Sequence, residues 1–151
     1  MKQHFMRRVI LPFFFTVFIV SCVSHKTVLS NNVDVRKYKY VIFGNETVGN
    51  RELDDIVMTV ENQIAKTRLA VLSASNTLKI SECSDSILTP NIHVTSEKWD
   101  GGHTYIVLTL YDYKNNQSVA VIKSSGTGLT IGHDQSIALK AIKKELNKLF
   151  K

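Results

Sequence analysis

The stretch "HTYIVLTLYDYKNNQSVAVIKS", residues 103–124, decides the fold. In its first half Ile106, Leu108 and Leu110 face one way, and Tyr105, Val107, Thr109 and Tyr111 face the other. A period of two sustained over this length predicts a strand, His103–Tyr113, with one face buried. Lys114-Asn115-Asn116-Gln117 reads as a hairpin turn, because Asn tolerates positive φ. Ser118–Ser124 then returns, with Val119 and Val121 set against Ala120 and Ile122. A long central hairpin predicts an antiparallel sheet, and its apolar face calls for helices to cover it.

Upstream, Asp100-Gly101-Gly102 is a turn signal. Before it, Asn91–Glu97 alternates Ile92, Val94 and Ser96 against His93, Thr95 and Glu97, the pattern of a second strand. Thr77–Ser81 reads as a short edge strand. Arg36–Phe43, "RKYKYVIF", is rich in β-branched and aromatic residues and reads as the first strand, with Tyr38, Tyr40 and Ile42 on one face. Gly44-Asn45 and Gly49-Asn50 punctuate the turn after it. A helix is predicted from Asn50, a good N-cap residue, with Glu52, Asp54 and Asp55 in its first turn. Leu53, Ile56, Val57, Val60 and Ile64 give it one apolar stripe. Ala65 to Leu72 could extend it, and Ser73-Ala74-Ser75-Asn76 ends it.

Downstream, a last helix is predicted with Asp134 as cap and Ala138, Ala141, Ile142, Leu146 and Leu149 as its buried stripe. Lys140, Lys143, Lys144, Lys148 and Lys151 occupy its other positions, mostly toward the C-terminal end. The order β-α-β-β-β-β-α predicts an α+β fold. It consists of an antiparallel sheet of four to five strands with two amphipathic helices on one face, forming a single domain over residues 35–151.

The chain has 151 residues and a formal charge of +6. Half of that charge is Lys2, Arg7 and Arg8, in a segment, residues 1–21, that has no acid. The remaining balance is too weak to indicate a nucleic-acid partner. Val9 to Val20, "VILPFFFTVFIV", is apolar apart from Pro12 and Thr16. As a helix it would span roughly 18 Å, against about 30 Å for a bilayer core. A basic start followed by an apolar run of this length is the pattern of an export signal rather than a stable membrane span.

The run ends in Ile19-Val20-Ser21-Cys22, which resembles the bacterial lipobox. That resemblance implies diacylglycerol attachment to the Cys22 thiol, cleavage just before Cys22 and acylation of the new amino group. Residues 1–21 are then a signal peptide recognised through Ile19, Val20 and Ser21, and residues 22–34 a lipidated Cys with a flexible tether. There is no Asp directly after Cys22, which by the same resemblance implies the outer membrane, facing the periplasm. The pattern as a whole is similar to a group of small Gram-negative envelope lipoproteins. The likeness rests on the lipobox start, the "YKYVIF" strand and the hairpin running into "SSGTGLTIGHDQSIALKAIKKELNKLF", Ser124 to Phe150. It implies an envelope location and brings no catalytic residue.

No constellation points to catalysis, a metal or a cofactor. Gly126-Thr127-Gly128-Leu129-Thr130-Ile131-Gly132 precedes a helix. However, it has neither the spacing nor the Lys-Ser/Thr pair of a phosphate loop, and it reads as a turn that needs glycine conformations. His93, His103 and His133 lack ligand spacing, and Glu97 shares a strand face with His93. Cys83, in "SECSDS", is left as a free thiol, or as the site of a disulfide-linked dimer, once Cys22 is lipidated. Trp99, Tyr105, Tyr111 and Tyr113 form the candidate partner surface, on the side of the sheet that the helices leave open. The sequence therefore predicts a lipid-anchored binding or assembly module without catalysis, whose partners are membrane lipid and an envelope protein. Two alternatives stand beside it: a secreted domain with a Cys22–Cys83 disulfide, and a secreted or periplasmic ligand-binding protein or enzyme.

Overall fold

A computed structural model describes residues 22–44, 51–99 and 101–151. The predicted signal peptide with Ile19, Val20 and Ser21, the turn residues Asn45 and Gly49, the cap Asn50 and Asp100 lie outside the described residues. The chain is α+β. Its strands are β1 (Cys22–Leu29), β2 (Tyr40–Val41), β3 (Ala70–Val71), β4 (Ile87–Ser96), β5 (His103–Asp112) and β6 (Ser118–Thr127). Its helices are α1 (Arg51–Ala65), α2 (Thr77–Cys83) and α3 (Ile131–Leu149). The six strands form one sheet in the order β1-β6-β5-β4-β2-β3. No helix among the described residues is long and apolar enough to cross a membrane.

The hairpin β5–β6 is the centre of this sheet, as its alternation predicted. Ile106, Leu108 and Leu110 are fully buried, and Asn116 takes φ 55° in the turn. α1 and α3 cover that face together. Ile56, Val60 and Ile64 from α1 join Ala138, Ile142 and Leu146 from α3 in one cluster with Leu108, Ile122, Tyr38 and Phe150. α3 lies over the β1, β6 and β5 side, and α1 over β4.

The structure differs from expectation in several places, and it has six strands rather than four to five and three α-helices rather than two among the described residues. The sheet is mixed rather than antiparallel, because β2 runs parallel to both β3 and β4. Most of Arg36–Phe43 is not strand: Val35–Lys37 is a 3₁₀ turn capped by Asp34, and pairing is confined to Tyr40 and Val41. Both faces are buried here, since Val41 is as enclosed as Tyr38 and Ile42. α1 stops at Ala65, and the residues that could have extended it supply β3.

Thr77–Ser81 is helical, not an edge strand. Asn76 Oδ1 accepts the Lys79 N–H (3.3 Å), an N-cap at the Ser-rich turn that was read as a helix end. Ile87 and Leu88 are adjacent in β4 and therefore face opposite sides, yet both have no exposure. Leu88 belongs to the main core, whereas Ile87 packs with Ile42, Leu72 and Ile80 under α2. The helix that was not expected, α2, therefore closes a small cluster on the second face of the sheet, at its β2 corner.

The remaining difference is at the start. Residues 22–29, expected to be tether, form an eight-residue strand that pairs with β6 from Cys22↔Thr127 to Leu29↔Ala120. The segment is half polar, so its period is masked. Two of its polar side chains, His25 and Thr27, find a partner on α3, as described below.

Candidate functional site

The register gathers several features at one end of the sheet. Cys22 is opposite Thr127, and Thr127 opposite His103, so the three share a row across β1, β6 and β5. The β4–β5 turn, carrying Trp99, and the β6–α3 turn, carrying Leu129, leave the sheet at this same pole. Trp99 is 57% and Leu129 60% exposed, and Cys22 is exposed beside them. Glu97 bonds across the turn rather than along the strand. Its Oε2 accepts the His103 N–H (2.9 Å) and lies 3.2 Å from His103 Nδ1, while the His103 ring stacks on Tyr105 at 5.8 Å.

The aromatic residues expected to form one partner surface are divided. Tyr105 is exposed on the open face near the Cys22 pole. Tyr111 is half-buried on the same face, six residues along β5, or about 20 Å away. Tyr113 is exposed beyond the end of β5, so Trp99 and Tyr105 stand at one end and Tyr111 and Tyr113 at the other. Between them the open face is mixed: Lys26 lies opposite Lys123 in the row of Val107, and exposed Val28 opposite Val121 in the row of Thr109. His93 is exposed there as well.

Cys83 is half-buried in α2 against the small cluster, and its thiol donates to the Lys79 carbonyl (2.6 Å). It lies beside Ile87, at the start of β4, whereas Cys22 stands in the row of His103. Nine residues of β5 between His103 and the Ile87 end of the sheet span about 30 Å, far beyond the 7 Å Cα separation a disulfide allows. The Cys22–Cys83 disulfide is therefore excluded within one chain, and both thiols are free.

On the β1 flank, Glu145 of α3 is buried and holds the edge strand. Its Oε2 accepts the Thr27 hydroxyl (2.7 Å), and its Oε1 meets Lys148 Nζ (2.5 Å) and His25 Nε2 (3.4 Å). The Lys148 ammonium holds the Glu145 carboxyl below the usual range against the opposing effect of burial, with help from Thr27 and His25. Its helical spacing in the stripe Ala138, Ala141, Ile142 is the sequence signal that this acid points inward. Glu145→Ala is expected to cost about 1–3 kcal/mol, by leaving Thr27 and His25 unpaired. Amide hydrogen exchange over Cys22–Leu29 should accelerate selectively. Because the folded pKa is lowered, the contribution of Glu145 is intact above the ordinary carboxylate value and is lost as pH falls through the folded one. The wild-type advantage should therefore shrink in acid.

The same flank holds a groove of about 330 Å³ between β1 and α3, lined by Val23, His25, His133, Ile137, Lys140, Ala141 and Lys144. On the opposite flank, a depression of about 360 Å³ between α1 and β4 is lined by Val57, Glu61, Pro90, Ile92 and Tyr111, among others. Burial there raises the Glu61 pKa.

The glycine-rich turn into α3 does not work through glycine backbone angles. Among the described residues, the glycine with positive φ is Gly101. A Cβ on Gly126 would run into the Asp134 carbonyl oxygen, the Ala138 nitrogen and Ile137 Cβ, so this residue lets β6 and α3 approach closely. The helix cap is Thr130, whose side chain accepts from the His133 N–H, rather than Asp134. Asp134 is fully buried in the first turn, and both its carboxylate oxygens lack a hydrogen-bond partner. Its place in the first turn is the positive end of the α3 dipole, where an acidic side chain is favoured.

No protein-family model and no curated protein matches the chain. Solved structures do. Two crystal structures of the PelC dodecamer from Paraburkholderia phytofirmans align with TM-scores of 0.53 and 0.54 at 15% identity. They cover 84% and 85% of this chain and 98% of PelC. A PDZ domain protein from Parabacteroides distasonis aligns with a TM-score of 0.55 at 13% identity, over 85% of this chain but 35% of that one. At such identities the likeness is one of fold: the chain shares the architecture of a PelC subunit over about 85% of its length.

Proposed function

We propose that this chain is a lipid-anchored envelope protein. It is held through acylated Cys22 on the periplasmic face of an outer membrane and acts as a non-catalytic binding or assembly module. The observation that carries this reading is the position of Cys22, which ends the apolar run in sequence and is exposed at the pole of the sheet. Because β1 begins at Cys22, a lipid there would hold that pole directly against the bilayer. Trp99 and Leu129 at the same pole suit this placement, since an amphipathic ring is favoured at a membrane interface. Several acyl chains, at about 0.8 kcal/mol per buried CH₂, anchor a domain of this size durably. PelC, whose fold this chain shares, is a dodecamer. By fold-level analogy that supports assembly as the role.

The test is metabolic labelling with a fatty acid in a Gram-negative host, followed by membrane fractionation. The wild type should carry the label and sediment with outer membranes. Cys22→Ala should lose both while the domain keeps its circular dichroism spectrum, because the Cys22 side chain is exposed. Unlabelled wild type retained in the membrane at full length would refute the anchor.

A further inference from the structure

Among the described residues the sheet offers unpaired edge on both flanks: β1 on one, and on the other the two-residue β3 and, beyond β2, the rest of β4. β1 pairs with β6 alone. β4 pairs with β2 at Ile87 and Leu88, so its outer edge from Thr89 to Ser96 has no strand partner among the described residues. Pro90 lies on this edge, where a missing N–H is tolerated, and leaves Asn91–Ser96 able to pair. Two edges of similar length that are unpaired among the described residues are templates for pairing with another chain.

The helices above these edges carry opposite charge. Over β1, α3 presents Lys140, Lys144 and His133 around an apolar floor of Val23, Ile137 and Ala141, with no acid in the groove lining. Over β4, α1 presents Asp54, Val57, Met58 and Glu61, which the i, i+3, i+4, i+7 spacing puts in one stripe. Met58 is 58% exposed in that stripe, and residues 53–65 contain no Lys or Arg. Each flank thus offers an apolar strip and a strand edge, one rimmed by bases and the other by acids.

Strand direction decides how they could meet. Within one chain β1 runs opposite to β4, through three successive antiparallel pairings. We infer that the occupant of each flank is a second copy of this chain, with β1 of one copy pairing antiparallel with Asn91–Ser96 of the next and Lys140 and Lys144 facing Asp54 and Glu61. In this head-to-tail arrangement all copies keep the same orientation, and every Cys22 emerges at the same pole. One bilayer could therefore anchor the whole assembly. Such a heterologous contact closes into a ring when a rotation accompanies each step. The inference deepens the assembly part of the proposed function and does not depend on the lipid.

The experiment is sedimentation and light scattering of the full chain extracted in mild detergent, at low and high salt. Wild type should associate at low salt and dissociate as salt screens the flank charges. Lys140→Glu/Lys144→Glu and Asp54→Lys/Glu61→Lys should each weaken association by about tenfold or more, through like-charge contact. The chain carrying all four reversals, and the two double variants mixed together, should associate again. That recovery cannot come from misfolding. Wild type that stays monomeric at low salt would overturn self-assembly, and reversals that leave association unchanged, or that never recover when combined, would overturn this interface. Fatty-acid labelling of Cys22 reports on the anchor separately, so the two failures are distinguishable.

Discussion

Gly126→Val is expected to destabilise the domain by about 3 kcal/mol, lowering its Tm by roughly 10 °C. A Cβ at this position has no free space. The atoms it would meet include the Asp134 carbonyl oxygen and the Ala138 nitrogen, which are backbone of α3 and cannot rotate away. The helix must therefore lift from β6, and with it the packing of Ala138 and Ile142 against Ile122, all of them fully buried. The Ser124 hydroxyl, which donates to the Ala138 carbonyl (3.0 Å), would be strained by the same displacement. Gly132 is the control. Nothing lies within 4 Å of a Cβ there, so Gly132→Ala removes only unfolded-state freedom and should stabilise by about 0.5 kcal/mol. Thermal and urea unfolding of the two variants should give opposite signs. Equal losses would show that the turn, rather than close packing at Gly126, sets the requirement.

Asp112→Ala is expected to cost about 3 kcal/mol. Asp112 is 4% exposed at the end of β5 and collects donors from three directions. Its Oδ2 accepts the buried Tyr38 hydroxyl (2.8 Å) and meets Lys37 Nζ (3.1 Å). Its Oδ1 accepts the N–H groups of Lys114 (3.0 Å) and Asn115 (3.3 Å), which shapes the hairpin turn. Burial alone would raise the Asp112 pKa, but these donors outweigh it and hold the carboxyl below its ordinary value. Burial and the nearby carboxylate push the Tyr38 phenol up, so it remains a donor at neutral pH. A lowered folded pKa means that Asp112 stabilises fully above the ordinary carboxylate range. That contribution disappears as pH falls through the folded value. Urea midpoints of wild type and variant should therefore be well separated at pH 7 and converge in acid. A separation independent of pH would mean that the carboxylate charge is not what stabilises the turn.

Asp112 also shows what could be read from the sequence. It continues the run Ile106, Leu108, Leu110 by one more step of two, and that parity alone puts it on the buried face. Glu145 falls in the stripe of α3 by the same logic. Both positions were legible, but their role was not, because Tyr38 and Thr27 come from segments 74 and 118 residues away. Cys22–Leu29 is the reverse case. Its alternation was hidden because His25 and Thr27, on the α3 side of the strand, are polar and are partnered there by Glu145. The helix at Thr77–Cys83 was hidden by a short stretch whose Leu78 and Ile80 alternate as well as a strand would, although Leu78 is 78% exposed.

By itself, the sequence determined the central hairpin, the two long helices and the face they share. These depend on hydrophobic period and turn chemistry, which are local and repeated over many residues. It also determined the apolar start that ends at Cys22, on which the anchoring proposal rests. Only the tertiary structure decided that β1 joins the sheet, that Cys22 and Cys83 lie at opposite ends, and that the basic and acidic helix flanks stand over edges unpaired among the described residues. Each of these is a relation between segments far apart in the chain. Register, strand order and helix placement create such relations, and no local pattern encodes them.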